Sequence, residues 1–425
     1  MKRFAVLVLV LVVVGAVSYG IGVAREQAIY EAFIEEGDAA LSRDDNFAAI
    51  QAFSVAISHR SDSMAARLKR GEAYRRRNEF EPAMRDLGQA VELDPLAPHP
   101  REILGDVNYA MGRYPLAIER YSEYLRLDDR SPRVLYKLAL TQMKLGQTPQ
   151  ALTSLRQALA IDDRFAEAYY LLGVCLGELQ RPAEAIAALE KSVGLNTGLL
   201  QAREELAETY GRLERFAERN RQLEALAALD PSGRREVALA LGYARDGQVE
   251  RAVLRLGNAA RHFPDESQTY VALGRLWLER AENGGRIEVS KAIGALESAV
   301  GNDSPSEAHT LYGRALMMAG EFSLAERAFE QAASRFPVDP LALYYLSEVA
   351  ERRGHLVVAQ RALIDFAALE GLDSPHFDAR VLARLTEAHL RAGDLAAARK
   401  TLARAQQKDA SHPHVLALAL RVLGG

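Results

Sequence analysis

An all-α solenoid of paired helices, led by one apolar helix, is the architecture encoded by these 425 residues, and three features point to it. Counting from Gly37 in steps of 34 meets Gly71, Gly105, Ala139, Gly173 and Ala207, each a small residue. A second small column keeps step through Ala49, Ala83, Ala117, Ala151 and Ala185. A period of this length marks a stack of similar units, each burying its apolar face on the next, and overrides a domain count taken from chain length. The composition agrees, because alanine, leucine, glutamate and arginine dominate and strand signal is scarce.

The first element follows Lys2 and Arg3. Phe4 to Ala24 is a run of 21 residues without a charge, which as a helix spans roughly 31 Å and matches a hydrocarbon core. Residues 1–24 are therefore expected to form a signal-anchor or transmembrane helix. A cleaved signal peptide is the alternative, with Val14-Gly15-Ala16 as its cleavage region. The flanks orient either one: Lys2 and Arg3 precede the run, whereas Arg25 is outweighed by Glu26, Glu31, Glu35, Glu36 and Asp38. Positive charge stays cytoplasmic, so the repeats are expected outside the cytoplasm. The expected location is a bacterial inner membrane crossed once, or the periplasm or beyond after cleavage.

One clean unit runs from Ser306 to Asp339. His309, Tyr312, Gly313 and Leu316 share a helical face by i, i+3, i+4, i+7 spacing. Gly320 breaks that helix, Phe322 opens a second with Ala325, Phe329 and Ala332 on one face, and Pro337 stops it. Small residues at Gly313 and Ala325 allow two helix axes to approach closely. Other units repeat the columns: Gly71, Tyr74, Phe80, Ala83, Ala90 and Pro95, then Tyr243, Gly247, Ala252, Leu256, Ala259 and Pro264. Second helices often open with proline, as at Pro115, Pro149 and Pro182, where the missing N–H is harmless.

These columns resemble the tetratricopeptide repeat of bacterial proteins, a 34-residue helix–turn–helix. The resemblance covers nearly everything after Ala24. It implies a right-handed superhelix over residues 25–412 in eleven units, beginning near Tyr30, Met64, Pro98, Pro132, Ala166, Leu200, Gly233, Ser267, Ser306, Pro340 and Ala379. Residues 413–425 read as a terminal capping helix. The beat has irregularities. Arg219 stands where the second-helix alanine of unit six belongs, and one residue is deleted after Ala207. A net five-residue insertion falls around Ala281–Glu288, with Gly284-Gly285, and a second interruption at Asp373–Asp378 precedes the last unit. Both read as loops.

No catalytic spacing is present, and no enzyme activity, metal, cofactor or small-molecule substrate is expected. The nine histidines are scattered, and HExxH, GxSxG and P-loop patterns are absent. His412 and His414 form the one close pair and read as a solvated turn. Cys175, the single cysteine, reads as a small core residue, and Trp277 as a helix-A packing residue. The formal charge is −4; without Lys2 and Arg3 the remainder carries 51 basic residues against 57 acidic. That mildly acidic balance does not suggest nucleic acid, which wants a basic stripe, and no nucleic-acid partner is expected.

What remains is surface. The resemblance implies that one side of each first helix lines a concave groove where protein or peptide partners bind. In units three to five that side offers Tyr109, Tyr136, Leu140, Met143, Tyr170 and Val174, rimmed by Glu102, Asp106, Arg133, Lys144, Glu167 and Glu178. Such a strip suits an extended peptide or an amphipathic helix. Units seven to nine offer Arg234, Arg245, Arg275 and Arg314, with Met317 and Met318, which suit an acidic segment. No Lys/Asn pairing one turn apart is present, which disfavours the family's carboxylate clamp. The expected function is a non-catalytic, membrane-tethered interaction scaffold for envelope assembly, secretion or polymer export. The alternative is a client-delivering adaptor of an envelope enzyme complex, similar to the repeat modules of cytochrome maturation.

Overall fold

In the computed structural model, residues 2–282, 285–301 and 303–423 are described, with side chains from 14 to 422. The described residues hold 23 α-helices and no strand. They group into two compact units, Met1–Thr209 and Tyr210–Gly425, divided within one helix.

The first unit is a run of consecutive helix pairs: α1 (Lys2–Ser42) with α2 (Asn46–His59), α3 (Met64–Arg76) with α4 (Phe80–Leu93), and α5 (His99–Ala110) with α6 (Tyr114–Leu127). It continues with α7 (Pro132–Lys144) and α8 (Thr148–Ile161), then α9 (Ala166–Glu178) and α10 (Pro182–Leu195), and reaches into α11 (Leu200–Arg212). The second unit contains α12 (Phe216–Leu229), α13 (Gly233–Arg245) with α14 (Val249–His262), and α15 (Ser267–Ala281) with α16 (Arg286–Ala299). The pairs α17 (Ser306–Ala319) with α18 (Phe322–Ala333), α19 (Pro340–Arg352) with α20 (Leu356–Glu370), and α21 (Ala379–Arg391) with α22 (Leu395–Asp409) follow, and α23 (Pro413–Leu423) is the last helix among the described residues.

Local chemistry sets each pair. Ser63, Ser131 and Ser232 accept hydrogen bonds from Ala66, Val134 and Arg235 amides, capping α3, α7 and α13. Proline occupies the first turn of α6, α8 and α10. The turn between the helices of a pair places a residue at positive φ on the same beat: Asp44, Asn78, Gly112, Gly146, Gln180, Glu214 and Gly247. Gly320, Gly354 and Gly393 do so in later units. A left-handed residue ends one helix and aims the chain back along it, which is why glycine recurs there.

The small columns are the contact between paired helices. Ala49, Ala83, Ala117, Ala151 and Ala185 are fully buried. A Cβ added at Gly71 would sit 2.8 Å from Leu87 Cγ, and one at Gly313 would sit 2.6 Å from the Phe329 ring. The same relation holds between Gly37 and Phe53, Gly105 and Tyr121, and Gly173 and Leu189. Each glycine is a socket for the large residue sixteen positions on. Between Gly274 and Leu296 the separation is 22, because the insertion lengthens the turn between α15 and α16. Residues 283–284 of that insertion lie outside the described residues.

Several expectations change. α1 continues unbroken through residues 24–30, so the apolar run and the first helix of unit one are a single helix. The segment Ala24 to Tyr30 offers no proline or glycine to stop it. The side chains of residues 4–13, half of the expected span, lie outside the described residues. Among the described residues no helix is long and apolar enough to cross a membrane. α18 ends at Ala333 rather than at Pro337, with the Ser334 amide closing onto the carbonyls of Glu330 and Gln331. The interruption at 373–378 is more than loop growth: Phe377 is fully buried and stacks on Phe366 at 5.1 Å, and Asp378 caps α21 through the Val381 amide.

Gly313→Val forces two methyls against the Phe329 ring and is expected to cost about 1–3 kcal/mol in chemical denaturation. Gly257, within α14, has nothing within 4 Å of an added Cβ. Gly257→Ala is expected to stabilise by about 0.5–1 kcal/mol in the same assay.

Candidate functional site

The candidate strip of the first unit lies on α5, α7 and α9. Tyr136, Leu140 and Met143 follow i, i+4, i+7 on α7, and Tyr170 and Val174 follow i, i+4 on α9, so each set shares a face. The adjoining face carries Val134, Leu135, Leu138 and Ala139, which are buried. All six strip residues are half-buried. Their lower parts pack on the cores, Tyr109 on the cluster around Tyr121 and Val134, and Tyr136, Leu140 and Met143 on that around Leu155, Leu171 and Cys175. Their upper parts face solvent.

The three tyrosines stand on three successive first helices. Burial raises the Tyr136 phenol above its ordinary range, and the charges of Glu167, Tyr170 and Tyr109 add to that rise. Tyr109 lies 5.5 Å from the Tyr114 ring and Tyr136 lies 5.2 Å from the Phe165 ring, ring to ring. Tyr114 and Phe165 therefore extend the aromatic surface. Neither stands out in the sequence, since one opens a second helix and the other precedes a first helix.

The charges beside the strip are arranged differently from the expected rim. Glu102 is 1% exposed, not rim-exposed. Lys137 Nζ donates to Glu102 Oε1 at 2.7 Å and Arg133 Nη2 to Oε2 at 2.7 Å, while His99 Nδ1 lies 3.2 Å from Oε2. Lys137 also donates to Asp106 at 2.8 Å, and the Tyr121 hydroxyl donates to the other Asp106 oxygen at 2.8 Å. Burial pushes the Glu102 carboxyl up, but the bonds from His99 and Lys137 and the charges of Lys137 and Arg133 outweigh it and hold it at about 2. Lys144 and Glu167 are exposed, and Glu178 accepts from the Thr148 hydroxyl at 2.8 Å. Lys137 escapes a reading of the columns, yet it stands 35 residues from Glu102 and 31 from Asp106. Opposite charges about one period apart face each other on successive first helices, and that spacing is the signal.

The candidate arginines of the second unit divide. Arg234 and Arg245 are exposed. Arg275 pairs with Glu307, and Arg314 donates to Glu282 at 2.8 Å and lies over the Tyr345 ring at 5.5 Å. Both line an open cleft of about 390 Å³ whose wall holds four carboxylates, Glu279, Glu282, Glu307 and Asp339, against those two arginines. The cleft is acidic on balance, because successive first helices bring glutamates to the arginines at the same one-period spacing.

Other residues singled out in the sequence are accounted for by packing. Cys175 is fully buried, and burial, with the nearby Glu178 charge, pushes its thiol up to about 12. Both effects disfavour the thiolate that a nucleophilic cysteine needs. Trp277 packs on two cores, with Lys291 Nζ 4.4 Å and Arg280 5.3 Å from the ring centre. The His412 and His414 rings meet edge to face with centres 5.6 Å apart, and among the described residues no group of three or more His, Cys, Asp or Glu side chains is placed to hold a metal ion.

Glu102 gives a pH prediction. Its folded value lies below the ordinary 4.5, so its contribution is present above about pH 4.5 and is lost as pH falls toward 2. Glu102→Gln is expected to lose about 1–3 kcal/mol at pH 7. Urea denaturation at each pH should show the difference from wild type shrinking through that acidic window.

The tetratricopeptide repeat family model matches residues 34–98, 136–198 and 310–360, and a further TPR repeat model matches 105–146. No curated protein matches the chain. Among solved structures, pilF of Pseudomonas aeruginosa is 22% identical, covering 48% of this chain and 94% of its own, with a TM-score of 0.41. YrrB, described as a TPR protein with an unusual peptide-binding site, is 23% identical, with coverages of 43% and 95% and a TM-score of 0.38. MamA from Desulfovibrio magneticus RS-1 is 22% identical, with coverages of 40% and 100% and a TM-score of 0.38. The family-model matches fall on the helix pairs and their 34-residue columns, so the segments 34–98, 105–146, 136–198 and 310–360 are tetratricopeptide repeats.

Proposed function

We propose that this chain is a non-catalytic interaction scaffold that binds an extended peptide or an amphipathic helix along Tyr109, Tyr136, Leu140, Met143, Tyr170 and Val174. The observation that carries the reading is three half-buried tyrosines on α5, α7 and α9 beside Glu102, Asp106, Arg133 and Lys137, charges that already pair with one another. Rigid aromatic rings supply contact area at low entropic cost. Internally paired charges leave the apolar strip to set affinity, and a partner with apolar side chains along one edge fits it.

The N-terminal run makes the scaffold a tethered one. From Val14 to Ala24 every residue is exposed, with Val14, Val17, Tyr19, Ile21 and Val23 presenting apolar side chains. Apolar surface of that extent wants a membrane or a partner. The charges of Lys2 and Arg3 before the run, against the glutamates after it, favour repeats outside the cytoplasm. The scaffold then serves envelope assembly, secretion or polymer export in a bacterium.

In-cell photo-crosslinking from positions 136 and 143, with position 314 for comparison, is expected to yield one defined adduct from the first two alone. Uniform or absent adducts would contradict the strip. Alkaline carbonate treatment of membranes is expected to leave the full chain in the pellet and release a variant lacking residues 2–24. Release of both would contradict the tether.

A further inference from the structure

α1 projects beyond the helix it pairs with. Its packed part starts at Tyr30, which joins the core around Ala56, Ile57 and Ala66, whereas residues 14–28 are exposed throughout. Between the projecting stretch and the end of α2 lies an open cleft of about 460 Å³. Tyr19, Gly22 and Val23 line its apolar end, and Glu26, Tyr30 and Arg60 its polar end, with His59 beside them. Positions 19, 22, 23, 26 and 30 recur at three- and four-residue steps, so they share one face of α1. Gly22 keeps that wall open, with nothing within 4 Å of an added Cβ.

The charges in the cleft are of opposite sign and are left apart. Arg60 and Glu26 form no ion pair with each other; Arg60 meets Asp62, and Glu26 meets His59. Arg60 lies over the Tyr30 ring at 5.3 Å, and the Tyr30 hydroxyl is held at 2.7 Å by Ser63 Oγ. The Arg60 contact with Asp62 is long, at 3.7 Å, and the guanidinium donates no hydrogen bond among the described residues. Glu26 uses Oε2 toward His59 Nδ1, and its Oε1 has no partner among the described residues. A dipolar ligand with an anion at one end and an N–H-bearing cation at the other answers both groups.

We infer that this cleft holds the headgroup of an ethanolamine phospholipid, its phosphate on Arg60 and its ammonium on Glu26. The inference rests on the tether reading, in which the apolar run up to Ala24 lies in a bilayer. The cleft then straddles the end of that run, with Tyr19 and Val23 toward the acyl chains and Glu26 beyond them. From Glu26 to Tyr30 the helix rises about 6 Å, comparable with the headgroup layer of roughly 5–8 Å on one side of a bilayer. Tyrosine suits that level, since its ring is apolar and its tip polar. A choline headgroup carries the same charges but has no N–H to donate to Glu26. A glycerol headgroup has no cation at all. The site therefore selects the ethanolamine lipid among the three.

The test is lipid retention, read by native mass spectrometry of the full chain released from nanodiscs of equal parts phosphatidylethanolamine, phosphatidylcholine and phosphatidylglycerol. Wild type is expected to retain the ethanolamine lipid about tenfold over the choline lipid, the discrimination of one charge-assisted hydrogen bond. Glu26→Gln, at an exposed position, is expected to bring that ratio near one while lipid stays bound through Arg60. Arg60→Ala is expected to cut retention of all three lipids severalfold. Arg156→Ala, exposed on α8, is expected to change neither quantity. Equal retention of the three lipids by wild type would overturn the site and leave the tether standing. A preference for the glycerol lipid would do the same, because it marks a plain anion site. An unchanged ratio in Glu26→Gln, or unchanged retention in Arg60→Ala, would also overturn it. A chain that does not enter the nanodiscs, seen by size exclusion before release, would contradict the tether and the site together.

Discussion

The contact on which the structure depends is a large side chain of one helix seated against a glycine of its partner. Phe53 on Gly37, Leu87 on Gly71, Tyr121 on Gly105, Leu189 on Gly173 and Phe329 on Gly313 repeat it through both compact units. Interiors packed to crystal-like density transmit such a constraint, because no slack remains to absorb an extra methyl. The fully buried alanine opposite keeps the axes close, and the left-handed residue in the turn fixes the return of the chain. Each pair then presents an apolar face that only the next pair can cover. Surface properties follow from this geometry, since the seat at Gly173 fixes which residues of α9 face inward and leaves Tyr170 and Val174 half exposed.

Successive first helices hold a second regularity, an electrostatic one. Lys137 reaches back to Glu102 and Asp106, Lys69 to Asp38, Arg314 to Glu282 and Arg275 to Glu307. Each pair spans about one period, so the stack aligns opposite charges by its own translation. The cost of burying Glu102 is offset because Lys137 and Arg133 pair with it and His99 lies within hydrogen-bond distance, and removing one partner is worse than never having built the cluster. The consequence for binding is selective. Beside the tyrosine strip Glu102, Asp106, Arg133 and Lys137 already pair with one another, whereas the buried Arg219 Nη1 and Asn220 amide have no partner among the described residues.

Much of this was legible in the sequence because the period is strict. Gly313, Phe329, Gly320 and the alanine columns announce the helix pair, its turn and its core face before any coordinates exist. What escaped was whatever depends on neighbours rather than on columns. Glu102 reads as a rim residue because its own helix face is mixed, and only the approach of α7 buries it. Arg275 and Arg314 read as a basic strip because their glutamates lie on other helices, about one period away. Phe377 sits in a segment with loop composition, and its burial is set by Phe366 and Tyr344 across the fold. The continuity of α1 was missed for a different reason, since composition changes at Ala24 while backbone propensity does not.

The glycine seat is tested most directly by Gly173→Ala, measured by chemical denaturation in wild type and in a Leu189→Ala background. In wild type the added methyl would lie 2.5 Å from Leu189 Cγ, so the substitution should destabilise by about 1–3 kcal/mol. With Leu189 truncated the methyl has a hole to enter, and the same substitution should become neutral or stabilising, a coupling of about 1 kcal/mol or more. An equal destabilisation in both backgrounds would show that the pairs are not held by this contact.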